Sequence, residues 1–188
     1  MAGQLNETII DGHLNAWEIN TDTELFTVRL DRTPAAGVSF SPDGRWLALS
    51  TLRSVISWEI ATGIRKEIFS VRPPRVIKSV AFAPGPMTVA ASVEPDKLRV
   101  WDATKGDELY AIEWRTSAFS CVEFGPNGEL VVSDYKVVKV WESPTGRELR
   151  ALEAAQEEDV CSVALSADGK HLATGYVNGE VKVWKWAD

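Results

Sequence analysis

The sequence predicts an all-β chain built from a repeating four-stranded antiparallel unit, the blade of a β-propeller, and three markers predict it. Tryptophans recur in a strand-like context at Trp17, Trp58, Trp101, Trp141 and Trp184, 40 to 43 residues apart. A valine-led run ending in a turn keeps the same phase: VSFSPDG from Val38, VAFAPGP from Val80, VEFGPNG from Val122 and VALSADG from Val163. A polar turn after the tryptophan does so too, at 61–63, 104–106 and 144–146. Three independent markers in one phase exclude coincidence.

Within each period, apolar residues alternate and Val, Ile, Phe and Trp are enriched, the pattern of half-buried strands. Asp-Gly, Asn-Gly and Pro-containing turns separate the runs by a few residues, as antiparallel hairpins require. Counted from the axis outward, residues 4–30 hold a second, third and fourth strand (QLNETI, LNAWEI, ELFTVRL). Residues 36–71, 76–114 and 119–153 each hold four, and residues 159–184 hold a first, second and third. That makes four to five blade equivalents in one domain over 1–188. The stretch RELRALEAAQEED (147–159) comes closest to a helical stripe, but its in-phase counterparts are strands, so it reads as a strand running into a polar loop.

Bulk properties narrow the class. A charged fraction of 25% and a hydrophobic fraction of 45% are those of an ordinary globular chain. No apolar run approaches the roughly 18 residues of a membrane span, and MAGQLNETII has no secretory pattern. A net charge of −7 argues against nucleic acid or an anionic membrane as partner. Two cysteines, Cys121 and Cys161, fit a reducing compartment and fall out of phase with one another, which argues against a disulfide. The expected location is cytoplasmic, with the nucleus left open.

The Trp-acid pairs Trp17-Glu18, Trp58-Glu59, Trp101-Asp102 and Trp141-Glu142, with the turns at 41–44, 83–86, 125–128 and 166–169, resemble the WD-repeat family of β-propellers over essentially the whole chain. The resemblance implies a protein-interaction scaffold. Family members typically carry a Gly-His pair before the innermost strand and an Asp before the Trp strand, which form a polar set with a Ser or Thr and the Trp. Here no His stands before the innermost strands, and only Asp11 and Asn178 approach the Asp position. That polar set is therefore expected to be missing, leaving cohesion to packing of blade faces. Three completions stay open: part of a seven- or eight-bladed propeller, completion by another chain through the open edge and flanks, or closure alone as a four- or five-bladed ring. Unpaired edges and bare flanks are liabilities unless covered.

Catalytic chemistry has little support. His13, read in a turn, and His171, read at a surface strand start, have no nucleophile beside them, and no Cys/His spacing suits zinc. No cofactor or metal site is expected. Glu123 stands where other copies have Ser39, Ala81 and Ala164; lining a channel or pairing with Lys78 would explain it. The five periodic tryptophans are expected in the core, whereas Trp114 lies outside their phase.

The loops entering the first strands and those before the Trp strands are expected on one rim. They would display Arg32, Arg53, Arg72, Arg75, Trp114, Arg115, Tyr135, Lys136 and Tyr176, beside an acidic final loop with Glu157, Glu158 and Asp159. Arginine holds carboxylate and phosphate with two parallel hydrogen bonds, so an acidic or phosphorylated protein segment is the expected partner. The functional expectation is a noncatalytic interaction platform. The alternatives are a regulatory or sensor propeller of a larger multidomain signalling enzyme, and a propeller hydrolase using Glu123.

Overall fold

Period-two alternation and glycine-closed turns produce strands throughout the computed structural model, which describes residues 12–18, 22–30, 34–85, 87–95, 97–114, 119–143, 145–153 and 158–186. The chain divides into two compact units, Met1–Ala35 and Ala36–Asp188. In the first unit, β1 (Gly12–Glu18) and β2 (Thr23–Leu30) form an antiparallel hairpin with a bulge at Ala16/Trp17. His13 lies in β1 opposite Arg29, not in a turn, because the alternating run begins one residue before it. Trp17 is 52% exposed, contrary to its expected core position. A two-stranded sheet gives a side chain one neighbouring strand, whereas a blade stacked on another sheet encloses it. The strand expected over residues 4–9 lies outside the described residues.

The second unit carries the repeats as separate antiparallel sheets. The first blade is β3 (Ala35–Phe40), β4 (Trp46–Thr51), β5 (Ser54–Glu59) and β6 (Arg65–Ser70). The second is β7 (Val76–Phe82), β8 (Thr88–Glu94), β9 (Lys97–Asp102) and β10 (Glu108–Glu113). The third is β11 (Phe119–Phe124), β12 (Leu130–Asp134), β13 (Val137–Glu142) and β14 (Arg147–Glu153). The fourth has three strands, β15 (Val160–Leu165), β16 (His171–Tyr176) and β17 (Val181–Lys185). Neighbours in each sheet are neighbours in sequence, so every blade is a meander. The 147–153 stretch is a strand, as its in-phase counterparts predict.

Three apolar clusters fill the three blade junctions. Strand β8 shows how one strand serves two of them. Val89, Ala91 and Val93 point toward the first blade, and Ala90 points toward the third. Successive side chains of a strand alternate faces, so a blade packed on both sides needs apolar residues at both parities. The third junction joins Val131, Val138 and Val140 to Val160, Val163 and Leu172.

A second device stitches the innermost strands, and the sequence gives it no obvious signature. Ser39 Oγ accepts the Phe82 amide (3.0 Å), Ser79 Oγ accepts the Val122 amide (3.1 Å) and Glu123 Oε2 accepts the Leu165 amide (3.3 Å). Each bond runs from one blade's first strand to a side chain of the preceding blade. Glu123 therefore stands in for a serine, and burial pushes its carboxyl above the ordinary range.

The polar set expected to be missing is partly present in the fourth blade. Trp184 Nε1 donates to Thr174 Oγ1 (2.9 Å), which bonds the Tyr176 hydroxyl (3.1 Å). The register puts Leu49, Ala91 and Val132 at the position of Thr174 in the other blades. There, aromatic packing takes over. Phe69 stacks on Trp101 with centroids 4.9 Å apart, and Trp114 meets Trp141 edge-on at 5.1 Å.

Candidate functional site

At one end of the blades, the turn between second and third strands meets the connection into the next first strand. Backbone bonds fix this meeting at the first and third junctions, where the Val71 amide donates to the Arg53 carbonyl (2.8 Å) and Val160 to Tyr135 (2.7 Å). Within the fourth blade the Val177 amide donates to the Asp159 carbonyl (3.0 Å), tying the turn to the entry of its own first strand. These loops therefore share one end of the blades.

Side chains rigidify its loops. Thr51 Oγ1 accepts the amides of Arg53 (3.2 Å) and Ser54 (2.9 Å). The Arg53 guanidinium then donates to the Arg75 carbonyl (2.8 Å), tying the turn to the Arg72–Arg75 connection. That connection is itself a turn, with the Arg75 amide on the Arg72 carbonyl (3.1 Å) and a cis Pro73–Pro74 bond. In the third blade, Asp134 Oδ1 accepts the amides of Lys136 and Val137 (2.7 Å each), presenting exposed Tyr135 and Lys136.

The nine expected contact residues separate into three groups. Arg53, Arg72, Arg75, Tyr135 and Lys136 lie on the rim, with Arg72, Tyr135 and Lys136 exposed and Arg53 and Arg75 half-buried. Trp114 and Tyr176 are buried, which corrects their reading as displayed side chains. Trp114 sits in the junction between second and third blades under the Lys139 ammonium, 5.5 Å from its ring centroid. Tyr176 closes the fourth blade's Thr174 chain. Large aromatics near blade ends bury more apolar area inside a junction than they would on a loop. Arg32 and Arg115 lie outside the described residues, as does Glu157; Glu158 and Asp159 are exposed and bring negative charge to the same end.

Arg53 combines roles that sequence alone could not separate, since its charge suggests contact while its guanidinium holds a backbone carbonyl. Both thiols are free, and burial pushes the Cys121 thiol up. His171 is exposed at the start of β16, as expected. Among the described residues, no cluster of His, Cys, Asp and Glu is arranged to hold a metal, and no helix is long and apolar enough to cross a membrane.

With that geometry in place, comparison with known proteins adds a likeness. The model of the WD domain, G-beta repeat, matches residues 146–185, the span from the turn before β14 through β17. It is the copy with the Trp184–Thr174 bond. Over that span the chain is similar to a WD repeat. It is 27% identical over 139 residues to the serine-threonine kinase receptor-associated protein of Bos taurus, covering 73% of this chain and 39% of the relative. It is 27% identical over 174 residues to the transcriptional corepressor LEUNIG_HOMOLOG of Arabidopsis thaliana, covering 90% and 21%. The telomerase protein component 1 of Mus musculus is 21% identical over 182 residues, 96% of this chain and 5% of that protein. The chain thus spans well under half the length of each of these relatives.

Proposed function

We propose that this chain is a WD-repeat protein, a noncatalytic platform that binds an acidic or phosphorylated segment of a partner protein through the basic rim. The observation that carries the reading is the pair of stiffened loops, Arg53–Arg75 and Tyr135–Lys136, which hold four cations and an exposed tyrosine at one end of the first and third blades and of the connection into the second. Rigid display keeps the ordering cost of binding low, and aromatic and Arg side chains suit interface anchors. One relative is named for association with a receptor and another as a transcriptional corepressor, and the first name accords with a protein-binding role. Self-association through open blade edges belongs to the same reading, as does a cytoplasmic location.

The engagement of Glu123 with the Leu165 amide supports a stitching role over a hydrolytic one. The small share of the longer relatives that this chain matches, 5% to 39%, favours as a second reading the regulatory propeller of a larger protein. The test is fluorescence anisotropy with a phosphoserine-containing peptide and its neutral counterpart. Arg72→Glu with Lys136→Glu is expected to weaken binding of the charged peptide roughly tenfold and to flatten its salt dependence. Equal binding by the double variant would overturn the rim assignment.

A further inference from the structure

The opposite end of the blades carries a feature that the rim reading does not use. There the turns between first and second strands are of two kinds. In SPDG, Ser41 Oγ donates to Asp43 (2.6 Å) and accepts the Trp46 amide (2.9 Å). In SADG, Ser166 Oγ donates to Asp168 (2.5 Å) and accepts the His171 amide (2.9 Å). The APGP and GPNG turns at 83–86 and 125–128 have no serine or aspartate at these positions. These two turns flank a groove of about 550 Å³ between the second and third blades.

Neighbouring junctions are filled at this end. The Lys66 ammonium donates to the Thr104 and Lys105 carbonyls across the first junction. At the third junction the 166–169 turn packs on Pro126, where a Cβ on Gly169 would stand 3.2 Å from its ring. At the second junction, which the hydrogen bond between the Tyr110 and Ser143 hydroxyls spans, the groove is walled by Met87, Leu109, Tyr110 and Phe124, and Pro84 and Pro126 also line it. Leu109, on β10, is 52% exposed.

Asp102 is the charged residue lining the groove. Its Oδ1 accepts the Thr104 amide (2.9 Å), the Thr104 hydroxyl (2.6 Å) and the Lys105 amide (2.9 Å). Those bonds hold the carboxyl below the usual range, so it stays ionised at neutral pH. Its Oδ2 has the Lys105 ammonium at 3.9 Å, the outer limit of an ion pair, and Lys105 is largely exposed. A cation brought by a ligand would meet a fixed carboxylate with one oxygen left for it. The volume lies within the roughly 300–1,000 Å³ of ligand sites that pair apolar walls with a few polar groups.

We propose that this groove docks a partner peptide through an apolar side chain adjacent to a lysine or arginine, the apolar part against Leu109 and Phe124 and the cation on Asp102. Charge complementarity selects this occupant: the site offers apolar walls and a single anionic handle, on a chain of net charge −7. It lies at the other end of the blades from the basic rim and calls for the opposite charge in its ligand.

Met1 and Met87 are the two methionines, so methyl-labelled methionine gives an NMR signal inside the groove. Short peptides with Leu-Arg or Phe-Lys in a Gly/Ser background are titrated against Leu-Glu and Phe-Glu counterparts. The basic peptides are expected to shift Met87 saturably, and the acidic ones to leave it. Asp102→Asn, which keeps an oxygen for Thr104, should weaken binding roughly fivefold. Leu109→Asp, at an exposed position, should weaken it roughly tenfold or more, and Arg72→Glu with Lys136→Glu should change nothing. Equal shifts by acidic and basic peptides, no Met87 shift at millimolar peptide, or wild-type affinity in Leu109→Asp would each overturn the proposal without touching the rim.

Discussion

The third blade and the fourth carry the same strand and treat it in opposite ways. Val138 and Val140 of β13 are 0% and 2% exposed, packed under Val160, Val163 and Leu172 of the fourth blade. Val181 and Val183 of β17 occupy the matching register and are 67% and 68% exposed. The leading side repeats the contrast. Val80, Val122 and Val163 are buried, whereas Val38, their counterpart in β3, is 49% exposed. Identical chemistry at identical positions is core or surface according to whether a neighbouring blade covers it. A blade's stability is therefore largely an interface property, as for other repeat architectures.

Four substitutions test that contrast. Trp141→Ala removes a ring shared between Trp114 and the Lys139 ammonium and should destabilise by about 3–5 kcal/mol in urea unfolding. Trp184→Ala, half-buried at the outer blade, should cost clearly less. Equal losses would mean that the fourth blade is as well enclosed as the third. Next, Val140→Ala should cost about 2 kcal/mol while Val183→Ala stays within about 0.5 kcal/mol. If both cost alike, Val183 is covered in solution, and a concentration-dependent mass by light scattering would show by what.

Glu123 sharpens the comparison at the junction itself. Glu123→Ala leaves the Leu165 amide without its acceptor and should cost about 1–2 kcal/mol. Glu123→Gln keeps the acceptor and removes the charge. Because burial raises this carboxyl above the ordinary carboxylate range, its contribution is fully present below that range and is lost as pH rises through the folded value. The Gln variant should therefore gain on the wild type as pH rises above the ordinary carboxylate range, read as a flatter stability profile. A parallel profile would show that the carboxyl is not desolvated.

The smallest effect belongs to the clasped turns. Serine hydroxyls hold Asp43 and Asp168 below the ordinary carboxylate range, so their contribution is present above about pH 4 and lost as pH falls through the folded values. Asp43→Asn and Asp168→Asn should each lower the thermal midpoint by roughly a degree or two at pH 7 and converge on the wild type as pH falls below the ordinary carboxylate range. A persistent difference in acid would assign the effect to backbone shape instead.

Much of this was legible in the sequence because a period is a global signal. Five tryptophans and four valine-led turns set the blades, their strand count and the rim. What escaped depends on which side of a strand faces which neighbour. Trp114 reads as an exposed anchor because its position lies outside the tryptophan phase, yet that position falls into a junction. Tyr176 reads as a loop residue, but it ends β16 and points its hydroxyl at Thr174. Trp17 shares the tryptophan phase, but its described sheet is a hairpin, and periodicity says nothing of what stacks on it. The stitches were hidden because Ser39 and Glu123 share a repeat position but not a residue type, while Ser79 shares the type of Ser39 but stands two positions earlier in the repeat.

Those stitches give the molecule built-in reporters. The amides of Phe82, Val122 and Leu165 are each held by an oxygen of the preceding blade, whereas the ladder amides around them are held within their own sheet. In a hydrogen–deuterium exchange experiment, these three protons should be released whenever neighbouring blades part, even while every sheet remains intact. Their exchange rates would then measure the separation of each blade pair individually, from the first to the fourth.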